Sequence, residues 1–310
     1  MMIPKLLTTL ALAATLPIGS AAATDTNGKY GEADPTAEHS RASSSSPART
    51  FDGVVYSTTP QGPLTLNIFL SDHAMREAAP VLVYFHGGAW ARGAPPQTAD
   101  GFKGFLKEGI SVVTVQYRLA GQAMAPAAVQ DARCALSWLA TNAAKLHIDT
   151  DRMIVTGTSA GGHLALMAGL LPEGSDLDPE VCRKVPKVAA IIDQYGPTDL
   201  TALHSGSGKR HSSVVRWTGE GKAGEEMEAL LSPIRYISSD SPPTMIVHGD
   251  ADPVVPVEQG RKLEQALADN GVKHRTFIVQ GGGHGKFDAK AKKTQMEMTI
   301  AFLEDVGILR

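Results

Sequence analysis

The chain has 310 residues, 43% of them hydrophobic and 20% charged, and its 29 Lys and Arg against 32 Asp and Glu give a formal net charge of −3. That length suits one large domain or two small ones, with ample apolar material for a core. The balance is slightly acidic and no long basic run occurs, so nucleic-acid binding has no electrostatic footprint.

In chain order, Lys5 precedes the apolar stretch LLTTLALAATLPIG, and SAAATDT follows it with small residues suited to cleavage after Ala23. Residues 1–23 therefore read as a secretory signal, the apolar part being too short and too rich in small residues for a membrane span. No cysteine near the cleavage point offers a lipid anchor, and export to the periplasm or the medium is the expectation. Residues 24–49, ending in SRASSSSPAR, are polar and aperiodic and read as a disordered linker. A single domain is expected over 50–310.

That domain opens with FDGVVYS and LTLNIFL, two strands joined through the turn residues of TTPQGP, which predicts an antiparallel start. The pattern then changes to PVLVYFHGG as a buried strand, TADGFKGFLKEG as a short helix, ISVVTVQYR as a strand, and APAAVQDARCALSWLATNAAKL as a long amphipathic helix. DRMIVTGTS is the next strand, Ala160 to Leu171 the next helix, and KVAAIIDQYG a further strand. PTMIVHGD, PVEQGRKLEQALADNG, HRTFIVQGGGHG and KKTQMEMTIAFLEDVG complete the chain as strand, helix, strand and helix. Continuous Val/Ile/Leu strands alternating with helices predict a mostly parallel, doubly wound sheet covered on both faces. The polar interval over about 198–232 is long for a connection and reads as a small cap insertion. Cys134 falls in a predicted helix and Cys182 in a loop; a disulfide and two separate thiols stay equally open, and neither cysteine has metal-site spacing.

In an open parallel sheet the site lies beyond the carboxyl ends of the strands, which sorts the reactive residues. Ser159 follows the strand RMIVT and precedes a helix, with Gly157 and Gly161 two residues to either side; a serine on so tight a strand–turn–helix reads as a nucleophile. The base must be a histidine. His284, in GGGHG after the last strand, fits the order serine, acid, histidine. His86 precedes the serine, His163 sits one turn along its helix and reads as structural, His248 lies upstream of the acid, and His274 begins a strand at the wrong end of the sheet. Asp252, in HGDADPVVP, is the favoured acid; Asp250 is read as stiffening that turn, and Asp193 after VAAII is the reserve. Oxyanion donors are expected from the backbone N–H groups of Gly88 and Ala89 in HGGAW, with Gly87 a further option, and of Ala160 after the nucleophile; removing one such donor costs about 2.7–4 kcal/mol of transition-state stabilisation. Asp131 is expected to pair with Arg118, and Trp90 and Trp217 are candidates either for a pocket wall or for plain core.

The ordered set HGGAW, GTSAGGHLA, QYGPTDL, HGDADPVVP and GGGHG resembles the α/β-hydrolase superfamily, in particular bacterial esterases and lipases akin to hormone-sensitive lipase and to feruloyl- and acetyl-esterases. The chain departs from the hormone-sensitive-lipase-like pattern at Ala89, where a third glycine is usual. The resemblance covers roughly residues 50–310 and implies an α/β-hydrolase fold, Ser159 as nucleophile, Asp252 as acid, His284 as base, and no cofactor or metal. A secreted esterase acting on short-acyl esters, small or polysaccharide-linked, is the expectation; oligomeric state is not readable. Two rivals share the evidence: a serine peptidase or formamidase of the same fold, and a catalytically silent binding protein on a hydrolase scaffold.

Overall fold

Strands that read as unbroken apolar runs have both faces to bury, and in a computed structural model of the chain they occupy the middle of one eight-stranded sheet. The structure describes residues 49–182, 184–204 and 208–309. The expected signal over 1–23, and all of the expected linker but Arg49, lie outside the described residues. The Arg49 carbonyl accepts from the Leu70 N–H.

The strands are β1 (Thr50–Thr59), β2 (Gly62–Phe69), β3 (Ala79–Phe85), β4 (Ser111–Val115), β5 (Ile148–Thr158), β6 (Ala190–Gln194), β7 (Thr244–Gly249) and β8 (His274–Val279). They lie in the order β1-β2-β4-β3-β5-β6-β7-β8. β2 runs antiparallel to both of its neighbours, and every pairing from β4 through β8 is parallel. The expected antiparallel strand is therefore β2 alone, with β1 restored to the common direction.

The helices are α1 (Lys103–Lys107), α2 (Ala127–Leu146), α3 (Ala160–Leu170), α4 (Ser212–Thr218), α5 (Gly221–Leu230), α6 (Glu258–Asp269) and α7 (Ala289–Asp305). Side chains alternate across each strand. Val81, Val83 and Phe85 of β3 enter one core with α2, α3 and α6, while Leu82 and Tyr84 face the other with α1 and α7. The interval over 198–232 is more regular than its composition suggests, because it contains α4 and α5. Cys134 on α2 is bonded to Cys182, with 4.9 Å between Cα atoms. Beside it the buried Arg133 guanidinium grips Asp178 and the carbonyls of Ala168, Leu171 and Pro172, so the segment after α3 is tied to α2 twice. Arg118 and Asp131 form the expected pair, with Nη2 to Oδ1 at 2.7 Å. No helix among the described residues is long and apolar enough to cross a membrane.

Candidate active site

β5 ends at Thr158 and α3 begins at Ala160, which leaves one residue to reverse the chain. Ser159 does so at φ 56° and ψ −121°, a region that non-glycine residues rarely occupy and that costs about 1–3 kcal/mol. The Ser159 N–H donates to the Gln194 carbonyl at 2.9 Å and its own carbonyl accepts from His163 N–H, which pins the turn on both sides. The flanking glycines are required by space. A Cβ on Gly157 would lie 2.2 Å from the Gly161 oxygen, and one on Gly161 would lie 2.0 Å from the Phe85 oxygen. With backbone on every side, nothing there can yield.

Two loops bring the partners of Ser159 over the sheet. Asp250 accepts from Gly281 N–H at 2.6 Å, and Ala251 N–H donates to the Gly282 carbonyl, lacing the loop after β7 to the loop after β8. Asp250 thus stiffens the turn, as its position predicts. Across this seam His284 Nδ1 lies 2.7 Å from Asp252 Oδ2, and His284 Nε2 lies 2.8 Å from Ser159 Oγ. Burial pushes the Asp252 carboxyl up, but hydrogen bonds from His284 and from the N–H groups of Val255 and Val254 outweigh it and hold the group below the usual carboxylate range. Ionised, Asp252 only accepts, so it fixes the imidazole proton on Nδ1 and leaves Nε2 free to accept from the serine hydroxyl.

The other four candidate histidines are engaged elsewhere. His163 is fully buried; its Nδ1 accepts from Trp90 Nε1 and its Nε2 donates to the Leu231 carbonyl, and burial pushes its pKa down to about 4. His86 stacks on Tyr117, and His248 donates to the Val255 carbonyl beneath Asp252. His274 accepts no role at this end, its Nδ1 lying 2.8 Å from the Val272 carbonyl at the start of β8. Asp193 does not reach His284. It is buried beneath the turn after β6, where its Oδ1 accepts from Gly196 N–H and burial raises its pKa to about 8.

The loop after β3 runs beside the serine: a Cβ on Gly87 would lie 3.5 Å from Ser159 Cβ and 2.9 Å from the Thr158 oxygen. Gly88 has φ 129° and could not carry a side chain, since its Cβ would lie 1.9 Å from the Arg92 oxygen. Ala89 holds φ 55°, the left-handed conformation that suits the glycine usual at this position. The backbone N–H groups of Gly88, Ala89 and Ala160 have no hydrogen-bond partner among the described residues. The loop is anchored by Trp90, which is stacked on Trp217 of α4 at 4.5 Å, with the His163 ring edge-on to both. Both indoles are buried. Of the two readings open for these tryptophans, core is the one observed, and the small insertion serves as a buttress for the loop over 86–90.

Sequence reasoning missed Tyr195. Its ring lies edge-on to the His284 imidazole, with centroids 4.9 Å apart. Position was the available signal: a bulky residue directly beyond the carboxyl end of β6, ahead of Gly-Pro, stands where sites form. Among the described residues no group of three or more His, Cys, Asp and Glu is arranged to hold a metal ion.

The chain itself is similar to known proteins. Residues 66–267 match the BD-FAE family and residues 231–308 match a second family described as TAP-like protein. Esterase LipQ of Mycobacterium tuberculosis is 29% identical over 241 residues, which cover 77% of this chain and 57% of LipQ. The chain spans about half the length of several of the curated relatives it matches. Among solved structures, a truncated carbohydrate esterase from gut microbiota superposes with a TM-score of 0.67 at 28% identity, covering 83% of this chain and 96% of the other. Esterase Est2 of Thermogutta terrifontis with bound propionate superposes with a TM-score of 0.67 at 25% identity, covering 84% and 95%.

Proposed function

Because the chain belongs to the BD-FAE family of α/β-hydrolases, we propose that it is an exported serine esterase that hydrolyses short-acyl carboxylic esters through an acyl-enzyme on Ser159. The observation that carries the reading is the continuous chain of hydrogen bonds, Ser159 Oγ to His284 Nε2 at 2.8 Å and His284 Nδ1 to Asp252 Oδ2 at 2.7 Å, built on a strained strand–helix turn.

The serine oxygen attacks the ester carbonyl while His284 Nε2 takes its proton. Negative charge develops on the carbonyl oxygen, and the N–H groups of Gly88, Ala89 and Ala160 receive it. Asp252 stabilises the imidazolium and keeps its own ionised state. The imidazolium then protonates the leaving alcohol, and the acyl group remains on Ser159. In the second half His284 removes a proton from water, the hydroxide attacks the acyl carbonyl, and the acid leaves as the proton returns to Ser159. The mechanism calls on no metal or cofactor.

Several features support the finer parts of the reading. One solved relative is named a carbohydrate esterase and another was captured with propionate. They favour small or polysaccharide-linked esters of short acids as substrates. Export is favoured by the N-terminal sequence and by the Cys134–Cys182 bridge, since such bonds persist in oxidising compartments.

The test is hydrolysis of p-nitrophenyl esters from acetyl to decanoyl, with labelling by an organophosphonate. Wild type should turn over the short esters and take one phosphonyl group, and Ser159→Ala should lose both properties. Turnover unchanged in Ser159→Ala refutes the assignment. Cleavage of peptides or formamides in preference to esters would favour a peptidase or formamidase. Failure of wild type to be labelled would favour a silent binding protein.

A further inference from the structure

A tyrosine held in a left-handed backbone conformation is a costly arrangement, and its surroundings show what maintains it. Tyr195 has φ 47° and is not a glycine, asparagine or aspartate, the residues that tolerate that region. Three contacts hold it there. Its N–H donates to the Val247 carbonyl at 2.7 Å, across to the neighbouring strand β7. The next N–H, from Gly196, is captured by the buried Asp193 carboxyl at 3.0 Å. Gly196 and Gly162 both press on that carboxyl: a Cβ on either would lie within 2.4–2.5 Å of Asp193 Oδ1. The turn is closed from below and cannot relax toward an extended conformation without breaking a buried hydrogen bond.

The strained turn directs the phenol ring against His284. The two rings meet edge-on, with centroids 4.9 Å apart and planes at 66°. Phe287, three residues beyond His284, closes the other side of the phenol at 5.9 Å and 90°. The phenol end lies against Gly285, where a Cβ would be 2.6 Å from the hydroxyl oxygen and 2.9 Å from Cζ. The segment carrying His284 thus wraps around a single side chain. Asp252 fixes the imidazole through one nitrogen, and one hydrogen bond leaves the ring free to rock about that axis. An aromatic wall at the imidazole removes this freedom.

We propose that Tyr195 is a positioning residue for His284: the strained turn over 193–196 holds the phenol ring as a wall that keeps Nε2 aimed at Ser159 Oγ. The inference rests on the reading of His284 as the base of an esterase. It assigns the function to the ring, with the hydroxyl dispensable, and to orientation of the imidazole rather than to substrate binding.

Asparagine tolerates the left-handed region, so Tyr195→Asn relieves the backbone while deleting the ring. Steady-state hydrolysis of p-nitrophenyl acetate by the full chain should show kcat reduced by about tenfold to a hundredfold, the scale of a misplaced catalytic group, with KM changed less than about twofold. Tyr195→Phe should restore kcat to within about threefold of wild type. If Tyr195→Asn does not fold by circular dichroism, Tyr195→Leu, which keeps apolar volume without a planar ring, gives the same comparison. A kcat equal to wild type in the ring-less variant, a loss confined to KM, or a Tyr195→Phe variant as slow as the ring-less one each overturns the proposal. Wild type and Ser159→Ala run in parallel. If wild type neither hydrolyses ester nor takes phosphonate, the esterase reading has failed and this inference falls with it; an active wild type with an unaffected ring-less variant sinks the inference alone.

Discussion

Replacing Cys134 and Cys182 together by alanine should lower the melting temperature by several degrees without slowing the chemistry. The bridge closes a loop with a sequence separation of 48. In the chain-entropy account a loop of about that length removes roughly 14 cal/mol/K from the unfolded chain, or about 4 kcal/mol at 25 °C. A domain of roughly 260 residues unfolds with an entropy near 0.55 kcal/mol/K, so the expected fall is about 7 °C. Arg133 is the neighbour of Cys134 and holds the same segment through Asp178 and three carbonyls, which keeps the native state intact when the bond is gone and confines most of the effect to the unfolded chain. α3 has 11 residues and so spans about 16 Å. Ser159 stands at its start, whereas the Arg133 contacts begin in its last turn, at Ala168, and continue beyond it to Leu171, Pro172 and Asp178, and Cys182 follows later still. Differential scanning calorimetry of wild type, reduced wild type and the double variant measures the shift, and labelling of Ser159 at 25 °C should proceed at one rate in all three. A double variant melting within about 2 °C of wild type refutes the loop-entropy reasoning. A labelling rate that falls with the bond shows instead that the clamp reaches the nucleophile.

Two further predictions concern the carboxylates. Asp252→Asn should reduce kcat by roughly 10⁴-fold, because an amide facing Nδ1 favours the wrong tautomer, while Asp250→Asn should leave kcat within about threefold; equal losses in the two variants would remove the distinction drawn between them. Asp193 has a folded pKa raised from 3.8 to about 8 by burial, so between those values the unfolded chain releases a proton that the folded chain keeps. Its contribution to stability is therefore fully present below pH 3.8, declines as pH rises, and levels off above about 8. Asp193→Asn resembles the protonated group and lacks this decline, so urea titrations should show the variant gaining on wild type from pH 5 to pH 8. A difference that stays constant over that range would mean Asp193 is not kept protonated by the fold.

Much of this was legible in the sequence because the features concerned are local or periodic. Apolar runs gave the strands, and Gly157 and Gly161 marked the elbow for a steric reason visible in the backbone distances around them. Chain order and a place after strands point to His284 and Asp252, and the structure joins Asp252 to His284 and His284 to Ser159. The pairing of Cys134 with Cys182 stayed open because it depends on where a loop returns to a helix. α4 and α5 were hidden for a different reason. α4 carries two β-branched valines and α5 opens on glycine, so neither shows a long apolar stripe. What stabilises them is tertiary: Trp217 buried against Trp90, and Glu228 paired with Arg210.

The same distinction explains why Tyr195 escaped notice. Its importance lies in a backbone angle, and an angle is set by Asp193 beneath it and Val247 beside it rather than by its own residue type. Asp193 drew attention as an acid that could serve the base directly; in the structure it acts two residues away, through a turn. The carboxyl is buried and raised to a pKa of about 8, with one oxygen lacking a partner among the described residues. A group so poorly solvated weakens the fold at neutral pH, yet it closes the turn that aims the phenol at His284. Stability and geometry thus oppose each other at one residue, and the two measurements on it separate them: Asp193→Asn, whose amide oxygen can still accept from Gly196 N–H, should stabilise the protein at pH 8 while leaving Tyr195 in place and turnover intact. Substitution by alanine removes the acceptor as well, so it should cost turnover at every pH, and the gap between the two variants measures how much of the activity depends on the turn.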